Sequence, residues 1–432
     1  MKRLIYFQAP ILTRSGYGAH ARELALSLLQ MPEYDVKFVS TPWGSTPMNG
    51  ADDPIYDTMR SKIISGQAPQ PDIFIQLTIP NEFQPLGKYN IGITAGIETT
   101  ACTGDWIEGC NRMDRVIVTS KHSADVFKNM VFDKVDKNTN QKIGTIQLTK
   151  PIDILFEGCD VNVYRKIDRS EISDGIDKLF DDIPENFVYL CVGQWIQGDI
   201  GADRKDLGML VKTFLETFKN KTKRPALMLK SNGATFSIMD REDILNKIRI
   251  LREEYGENAP NVYLLHGDLT DIEMNELYNH PKVKAMISFT HGEGFGRPLL
   301  EFTMTGKPVI APNWSGHIDF LSKNFSILLP GQLHQVPSSA VNKWIIPESG
   351  WFVVNYPVAS NTIREVFLNY KAYHDKAKKQ RSYSLSNFTF DKMHEQFKNI
   401  IDTCINNVPE QVTLNLPKLK KKNTDGKVET GI

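Results

Sequence analysis

The chain has 432 residues, of which 41% are hydrophobic, enough to bury the cores of two or three domains. Its 51 basic and 51 acidic residues balance, so composition predicts no general attraction to nucleic acid or to an anionic membrane. No apolar stretch is long enough for a signal peptide or a transmembrane span. The five scattered cysteines indicate a reducing compartment, and we therefore expect a cytoplasmic protein.

The first half of the chain alternates short apolar segments with amphipathic ones. Strands are predicted over residues 3–9, 36–40, 72–77, 91–95, 116–120 and 154–160, with helices over 19–30, 105–110 and 121–127. Residues 133–150 are predicted to form an inserted hairpin. Gly16 and Gly18 precede the first helix, in a glycine loop that suits a phosphate or a closely approaching substrate. An ordinary tight turn explains these two glycines equally well.

The same alternation restarts after residue 185. Strands are predicted over residues 187–192, 226–230, 262–265, 283–289 and 308–311, and helices over 207–218, 241–255, 271–279, 299–305, 362–379 and 387–406. Such alternation is typical of doubly wound parallel sheets, so we predict two α/β domains. Their predicted bounds are residues 1–168 and 185–385, followed by a returning helix over 386–407 and a disordered basic tail over 408–432.

One stretch, residues 288–311, combines several signals of a ligand site. It contains three glycines, which allow backbone N–H groups to approach a ligand: Gly292, Gly294 and Gly296. Glu293 and Glu301 stand in this stretch with seven residues between them. A carboxylate beside a phosphate is electrostatically unfavourable unless it binds uncharged groups. We therefore expect Glu301 to accept hydrogen bonds from a ribose diol, and Glu293 from the hydroxyls of a sugar.

The dense run Gly-Glu-Gly-Phe-Gly, Pro-Leu-Leu-Glu and Gly-Lys-Pro-Val-Ile-Ala resembles the Glu-x7-Glu element of retaining nucleotide-sugar glycosyltransferases, a group that includes glycogen and sucrose synthases. The resemblance implies the GT-B fold, in which two Rossmann-like domains face each other across a cleft. It also implies a nucleotide diphosphate sugar as donor and no other cofactor. The donor-binding residues it implies are Glu301, His291, Gly294, Phe295, Gly296, Gly16 and Gly18. For His291, capping of the preceding strand is the alternative role.

Arg204 and Lys205 follow the first strand of the second domain and its loop. A departing diphosphate needs compensating positive charge, which an arginine and a lysine can supply. The resembled family carries a basic pair here, spelled roughly Gly-Arg…Lys-Gly. Because Gln194 replaces the arginine that usually follows the glycine, Arg204 is the candidate for its role. A solvated charged loop is the alternative interpretation of this pair.

Glu98 lies where the resembled family often has a histidine that touches the donor sugar. It is our candidate for holding the acceptor hydroxyl or the sugar, although a surface glutamate at a strand end is nearly as good an explanation. The sequence has no second histidine at metal-ligand spacing and no Asp-x-Asp pair in a strand-end loop. We therefore expect no metal ion, with charge neutralisation left to Arg204 and Lys205.

Three functions follow from these patterns. The leading one is retaining transfer of a sugar from a nucleotide diphosphate sugar to a hydroxyl acceptor, with the leaving phosphate oxygen taking the acceptor proton. The basic end of the chain also looks similar to proteins of large tailed bacteriophages, which suggests DNA containing hydroxymethylcytosine as acceptor, in the host cytoplasm. Against this, residues 1–169 carry equal numbers of acidic and basic side chains. The third alternative is a non-catalytic nucleotide-sugar-binding protein.

Overall fold

A computed structural model describes residues 2–409 of the chain, apart from residues 67, 137, 140, 197, 199, 234 and 235. The basic tail predicted over 408–432 lies outside the described residues from residue 410 onward. Within the described ranges, no helix is both long and apolar enough to cross a bilayer. The five cysteines are buried free thiols.

The first half of the chain forms a six-stranded parallel sheet flanked by helices. Its elements are β1 (Arg3–Ala9), α1 (Gly16–Leu29), β2 (Tyr34–Ser40), α2 (Asp57–Ser61), β3 (Ile73–Leu77), β4 (Tyr89–Thr94), α3 (Gly104–Arg112), β5 (Arg115–Val118), α4 (Lys121–Asn129), β6 (Val131–Val135), β7 (Lys142–Gln147) and β8 (Ile152–Ile154). The strand order is β2-β1-β3-β4-β5-β8. β6 and β7 pair antiparallel outside this sheet, which confirms the predicted hairpin.

The second half forms another six-stranded parallel sheet. Its elements are α5 (Asp174–Lys178), β9 (Val188–Val192), α6 (Leu207–Phe218), β10 (Ala226–Lys230), α7 (Ile238–Glu253), β11 (Val262–Leu265), α8 (Asp271–Asn279), β12 (Val283–Ile287), α9 (Arg297–Thr303), β13 (Val309–Pro312), β14 (Ile327–Leu329), β15 (Gly331–Gln335), β16 (Gly350–Val354), α10 (Tyr356–Leu368), α11 (Tyr370–Asn387) and α12 (Phe390–Ile405). The order β11-β10-β9-β12-β13-β14 is the strand order of dinucleotide-binding folds. The predicted pair of doubly wound sheets is thus confirmed.

Several helix bounds differ from the predictions by up to about three residues, and two of these differences bear on the site or the domain layout. The first helix begins at Gly16 rather than at residue 19, because the Ser15 hydroxyl caps it by accepting the N–H of Gly18 at 2.9 Å. Gly16 and Gly18 therefore lie in the first helical turn and not in a loop before it. The single helix predicted over 362–379 is in fact α10 and α11, which meet at Asn369.

The end of the chain returns to the first sheet. Met393, Phe397 and Ile401 of α12 belong to the same buried apolar cluster as the side chains of β1, β3 and β4. The two segments that connect the halves of the chain run side by side. The Cys159 N–H donates to the Phe388 carbonyl at 2.9 Å, and the Phe390 N–H donates to the Cys159 carbonyl at 2.8 Å. The halves are therefore joined by two paired stretches of backbone.

Candidate active site

The carboxyl ends of strands from both sheets meet at one place. A Cβ atom added at Gly292 would lie 1.9 Å from the Glu98 carbonyl oxygen, and one at Gly294 would lie 2.3 Å from that of Ala95. The Thr119 hydroxyl lies 2.8 Å from the Ala95 carbonyl and 3.2 Å from the Gly294 carbonyl, so it bridges the two loops. Because β4 ends just before Ala95 and β12 just before this glycine loop, the two sheets face each other here. The glycines are required by this close backbone approach.

Two ion pairs lie at this meeting point and contain all four predicted catalytic residues. The Nη1 atom of Arg204 is 2.6 Å from Oε1 of Glu98, and Nζ of Lys205 is 2.5 Å from Oε1 of Glu293. The Lys205 and Glu293 side chains are only 16% and 12% exposed, whereas those of Arg204 and Glu98 are 28% and 36% exposed. The inner pair is therefore well shielded from solvent, and the outer pair is open to it.

The inner pair is held in its charged form by mutual attraction. Burial alone would raise the pKa of Glu293, but attraction to Lys205 and then to Arg204 outweighs it, so the pKa ends below its ordinary value. Burial lowers the pKa of Lys205, and the Glu293 carboxylate opposes that effect. A ligand with anionic oxygens and hydroxyl groups can replace both partners, because it offers an acceptor to the lysine and donors to the glutamate.

Glu301 belongs to a second, more deeply buried cluster around Arg297. Arg297 lies 2.5 Å from Glu23 of α1 and 2.8 Å from Glu301, four residues later on α9. Its Nη1 atom is 3.8 Å from Glu157, which precedes the connection between the halves of the chain. The Tyr278 hydroxyl donates to the other oxygen of Glu301 at 3.3 Å. One guanidinium thus serves three carboxylates from both halves of the chain.

Burial sets the protonation of this second cluster. It raises the pKa of Glu301 and that of Glu157 each to about 8, although Arg297 pulls both down. Several polar atoms in the cluster have no hydrogen-bond partner among the described residues: Oε2 of Glu23, Nη1 of Arg297 and both ring nitrogens of the neighbouring His20. The cluster therefore retains hydrogen-bonding capacity at the boundary between the domains.

The side chains of His291 and Phe295, two other predicted donor-binding residues, are buried rather than open to a ligand. His291 is fully buried, and its Nδ1 and Nε2 atoms lie 2.7 Å and 3.2 Å from the carbonyl oxygens of Phe352 and Gly201. Burial lowers the pKa of His291 to about 4, so the ring is neutral at neutral pH. The Phe295 ring is buried against Phe320 at a centroid distance of 5.0 Å. His291 and Phe295 can therefore contact a donor only through their backbone atoms in this arrangement.

The predicted glycine positions have different surroundings. Gly296 has a φ of 96°, in the left-handed region, where it begins α9. Gly18 is packed tightly, since a Cβ atom there would lie 2.2 Å from the Thr13 carbonyl oxygen. A Cβ atom at Gly16 would meet nothing within 4 Å. Of the two glycines in α1, only Gly16 has free space beside it.

Three residues of the site were not identified from the sequence. Ser315 has a φ of 73°, and its hydroxyl accepts the N–H of Glu293 at 2.9 Å. Asp206 is fully buried at a φ of 51°, beside the basic pair, and accepts a hydrogen bond from the Tyr356 hydroxyl at 2.7 Å. Sequence gives no signal for these backbone conformations. Arg297 was identifiable, since arginine four residues before Glu301 on a helix predicts an ion pair.

Known structures share this fold at low sequence identity. HepE of Anabaena, solved in complex with UDP-glucose, has a TM-score of 0.59 at 15% identity and covers 93% of this chain and 100% of its own. A glycosyltransferase from Rickettsia africae gives 0.61 at 14% identity, over 94% and 99%. Sucrose-phosphate synthase from Thermosynechococcus elongatus gives 0.61 at 11% identity, over 94% and 100%.

These similarities establish the GT-B fold for the present chain, and the fold alone. No protein-family model matches the sequence. A search of curated proteins also gives no match. The function must therefore be argued from the residues of the site.

Proposed function

We propose that the protein is a retaining glycosyltransferase that moves a sugar from a nucleotide diphosphate sugar to a hydroxyl acceptor. The observation that carries this proposal is the pair of cations, Arg204 and Lys205, beside Glu293 where the carboxyl ends of the two sheets meet. Ligands of open α/β sheets bind at the carboxyl ends of strands. Three solved proteins that share the fold are sugar-related enzymes or bind UDP-glucose, which favours a UDP-sugar as the first donor to test.

In the proposed reaction, the diphosphate of the donor takes the place of Glu98 and Glu293 as partner of the two cations. Arg204 and Lys205 then offset the negative charge that grows on the diphosphate as its bond to the sugar breaks. Glu293, released from Lys205, accepts hydrogen bonds from the sugar hydroxyls. The acceptor enters on the face that the diphosphate leaves, and its proton passes to the leaving phosphate oxygen. Glu98 is the candidate for orienting the acceptor hydroxyl.

The donor-binding half of the proposal assigns Glu301 to the ribose. Its two oxygens are engaged by Arg297 and Tyr278, and a ribose diol would compete with these partners. Gly16 is suited to approach the diphosphate from the first domain, because nothing occupies the space beside it. Among the described residues, no group of three or more His, Cys, Asp or Glu side chains is arranged to hold a metal ion.

The decisive experiment measures release of UDP from UDP-glucose by Lys205→Ala. We expect kcat to fall by roughly a hundredfold, since removing one preorganised charge at a developing anion costs about 3 kcal/mol. Lys212→Ala is the matched control, because this lysine lies on α6 nearby and is 44% exposed. Equal turnover of both variants would contradict the role of Lys205.

A panel of nucleotide sugars separates the remaining alternatives. Binding of a donor without any UDP release or transfer would favour the non-catalytic binding protein. Transfer of label to hydroxymethylcytosine DNA would favour the DNA-modifying enzyme, and the described residues carry no observation specific to that acceptor.

For any transfer product, NMR should give the same anomeric configuration as in the donor, and a chelator should leave the rate unchanged. An inverted anomer would contradict retention.

A further inference from the structure

A long excursion leaves the second sheet after β14 and reaches the first domain. Residues 331–354, which we call the strap, include the antiparallel strands β15 and β16, paired from Gly331–Val354 to Gln335–Gly350. Neither strand belongs to the parallel sheet of its own domain. The segment between these strands forms the tip of the strap. The strap therefore projects from the second domain, and its contacts decide what it does.

The tip of the strap docks on the first domain through Trp344. This half-buried ring packs against the apolar cluster beneath α3, with its centroid 6.0 Å from that of Trp106. The side-chain oxygen of Asn342 accepts the N–H groups of Trp344 at 2.8 Å and Ile345 at 3.0 Å. These hydrogen bonds define a turn of the backbone at Trp344. A fixed aromatic ring against an apolar cluster is a specific contact between domains.

A second contact ties the strap to the loop that carries Glu98. The Thr100 N–H donates to the Gly350 carbonyl at 2.8 Å, and the Gly350 N–H donates to the Thr100 hydroxyl at 2.7 Å. Thr100 is two residues beyond Glu98, the partner of Arg204. The strap thus fastens to the first domain next to the outer ion pair of the candidate site.

The base of the strap contacts the residue that precedes the glycine loop of its own domain. Trp351 stacks on the His291 ring at a centroid distance of 4.1 Å, and Nδ1 of His291 donates to the Phe352 carbonyl at 2.7 Å. The Phe352 N–H donates to the His291 carbonyl at 3.0 Å, and the His291 N–H donates to the Arg204 carbonyl at 3.0 Å. His291 is two residues before Glu293. One residue therefore links the strap to both the basic pair and the glycine loop.

We propose that the strap couples contact between the domains to the geometry of the site. When Trp344 and Gly350 contact the first domain, the base of the strap fixes the position of His291 and thereby keeps Glu293 opposite Lys205. When the domains separate, these contacts are lost and the glycine loop is held less firmly. Trp344 and His291 are thus positioning residues, which act on Glu293 and Arg204 without touching the substrate. The buried His291 ring thereby has a role other than contact with a donor.

Hydrogen exchange on the full chain tests the coupling directly. Trp344→Ala should speed amide exchange in α3, where the tip docks, and also in residues 289–296, which the tip does not touch. Leu333→Ala is the matched control, because this residue of β15 is 53% exposed in the same hairpin. It should change exchange in neither region. Faster exchange in α3 alone would overturn the coupling, because it would show a purely local contact.

A second variant and a kinetic measurement keep the coupling testable if Trp344→Ala does not fold. Thr100→Val removes the acceptor for the Gly350 N–H. It should also speed amide exchange in residues 289–296, so it tests the coupling even if Trp344→Ala does not fold. On UDP-glucose, both variants should lower kcat by about tenfold with UDP affinity unchanged, since loss of positioning slows the reaction more than binding. An equal loss of affinity and turnover would contradict positioning. The kinetic arm rests on the proposed function, whereas hydrogen exchange decides the strap even if no sugar is transferred.

Discussion

At the scale of single residues, the site pairs each cation with a carboxylate of the opposite loop. Lys205 pairs with Glu293 and Arg204 pairs with Glu98, so the charges of each pair balance. A bare cation at 16% exposure would be costly, so such pairing keeps the basic residues stable and in place. In the proposed reaction, the donor diphosphate must compete with the two glutamates. The site should therefore discriminate against ligands with fewer than two anionic oxygens, because they cannot replace both glutamates as partners of the cations.

Glu301 gives a prediction on pH dependence. Its pKa is raised by burial to about 8, so the side chain is mostly protonated at neutral pH and ionises as the pH rises. In the proposed donor complex, the ionised form would accept hydrogen bonds from both ribose hydroxyls, so nucleotide binding should favour it and release a proton. We expect UDP affinity to increase as the pH rises from about 7 and to level off above about 8.

Titration calorimetry in buffers of different ionisation enthalpy measures this proton release. Glu301→Gln should weaken binding and remove the pH dependence over this range, where UDP itself is already ionised. Glu157→Gln is the control, because its pKa is also about 8 and it shares Arg297 with Glu301. That variant should retain the increase in affinity. If both variants behave alike, Glu301 does not bind the ribose.

At the scale of elements, Arg297 joins α9 to α1 and to the segment before the domain connection. Arg297→Ala would leave Glu23, Glu157 and Glu301 buried without a cation, which should lower the free energy of unfolding by about 3–5 kcal/mol. Arg165→Ala is the control, since its pair with Glu171 is 47% and 41% exposed and should contribute little to stability.

Chemical denaturation at two pH values checks this prediction. Glu157 and Glu301 have raised pKa values, so they take up protons as the pH falls below about 8. Neutral carboxyl groups tolerate the loss of Arg297 better than carboxylates, and the destabilisation should therefore shrink in acid. A loss equal to that of Arg165→Ala at the higher pH would rule out a stabilising role for the cluster.

The elements around the glycine loop show how far sequence reasoning extends. The order strand, loop, helix, strand over residues 283–312 follows from local pattern, because apolar runs and glycine spacing are properties of neighbouring residues. The contacts of Gly292 and Gly294 with Glu98 and Ala95 join segments far apart in the chain, and no local pattern specifies them. Phe295 illustrates the same limit. Its inward orientation depends on Phe320 and the surrounding core.

At the scale of the whole molecule, α12 makes the first domain dependent on the far end of the chain. Phe397 is fully buried in the core of the first sheet, so Phe397→Ala should lower the free energy of unfolding by about 3–5 kcal/mol. Thr403→Ala on the exposed side of α12 should change it by less than about 0.5 kcal/mol. Urea denaturation measures both. Equal midpoints would mean that α12 contributes little to the stability of the first domain.

The two-sheet architecture could be predicted because each strand and crossover helix is short and strongly patterned. The junction at Asn369 could not be predicted, because that position carries neither glycine nor proline to mark it. The position of the strap could not be predicted either. Contacts with Trp106 and Thr100 of the other domain determine where the strap lies, and these contacts depend on how the domains are oriented. Orientation of domains is a property of the assembled chain.

The paired backbone at Cys159 and Phe388 has a mechanical consequence. Two peptide segments cross between the domains side by side, and hydrogen bonds on both sides of Cys159 hold them together. A single linker lets two domains rotate freely against each other. Two hydrogen-bonded linkers resist twisting of one domain against the other, so rotation of the domains about a single axis is expected to be easier than twisting. Gly158 keeps this crossing narrow, since a Cβ atom there would lie 2.8 Å from the Phe390 Cα. Proteolytic cleavage of the second segment would leave the domains covalently joined through the first, whereas cleavage of the first would leave them held only by the packing of α12 on the first domain.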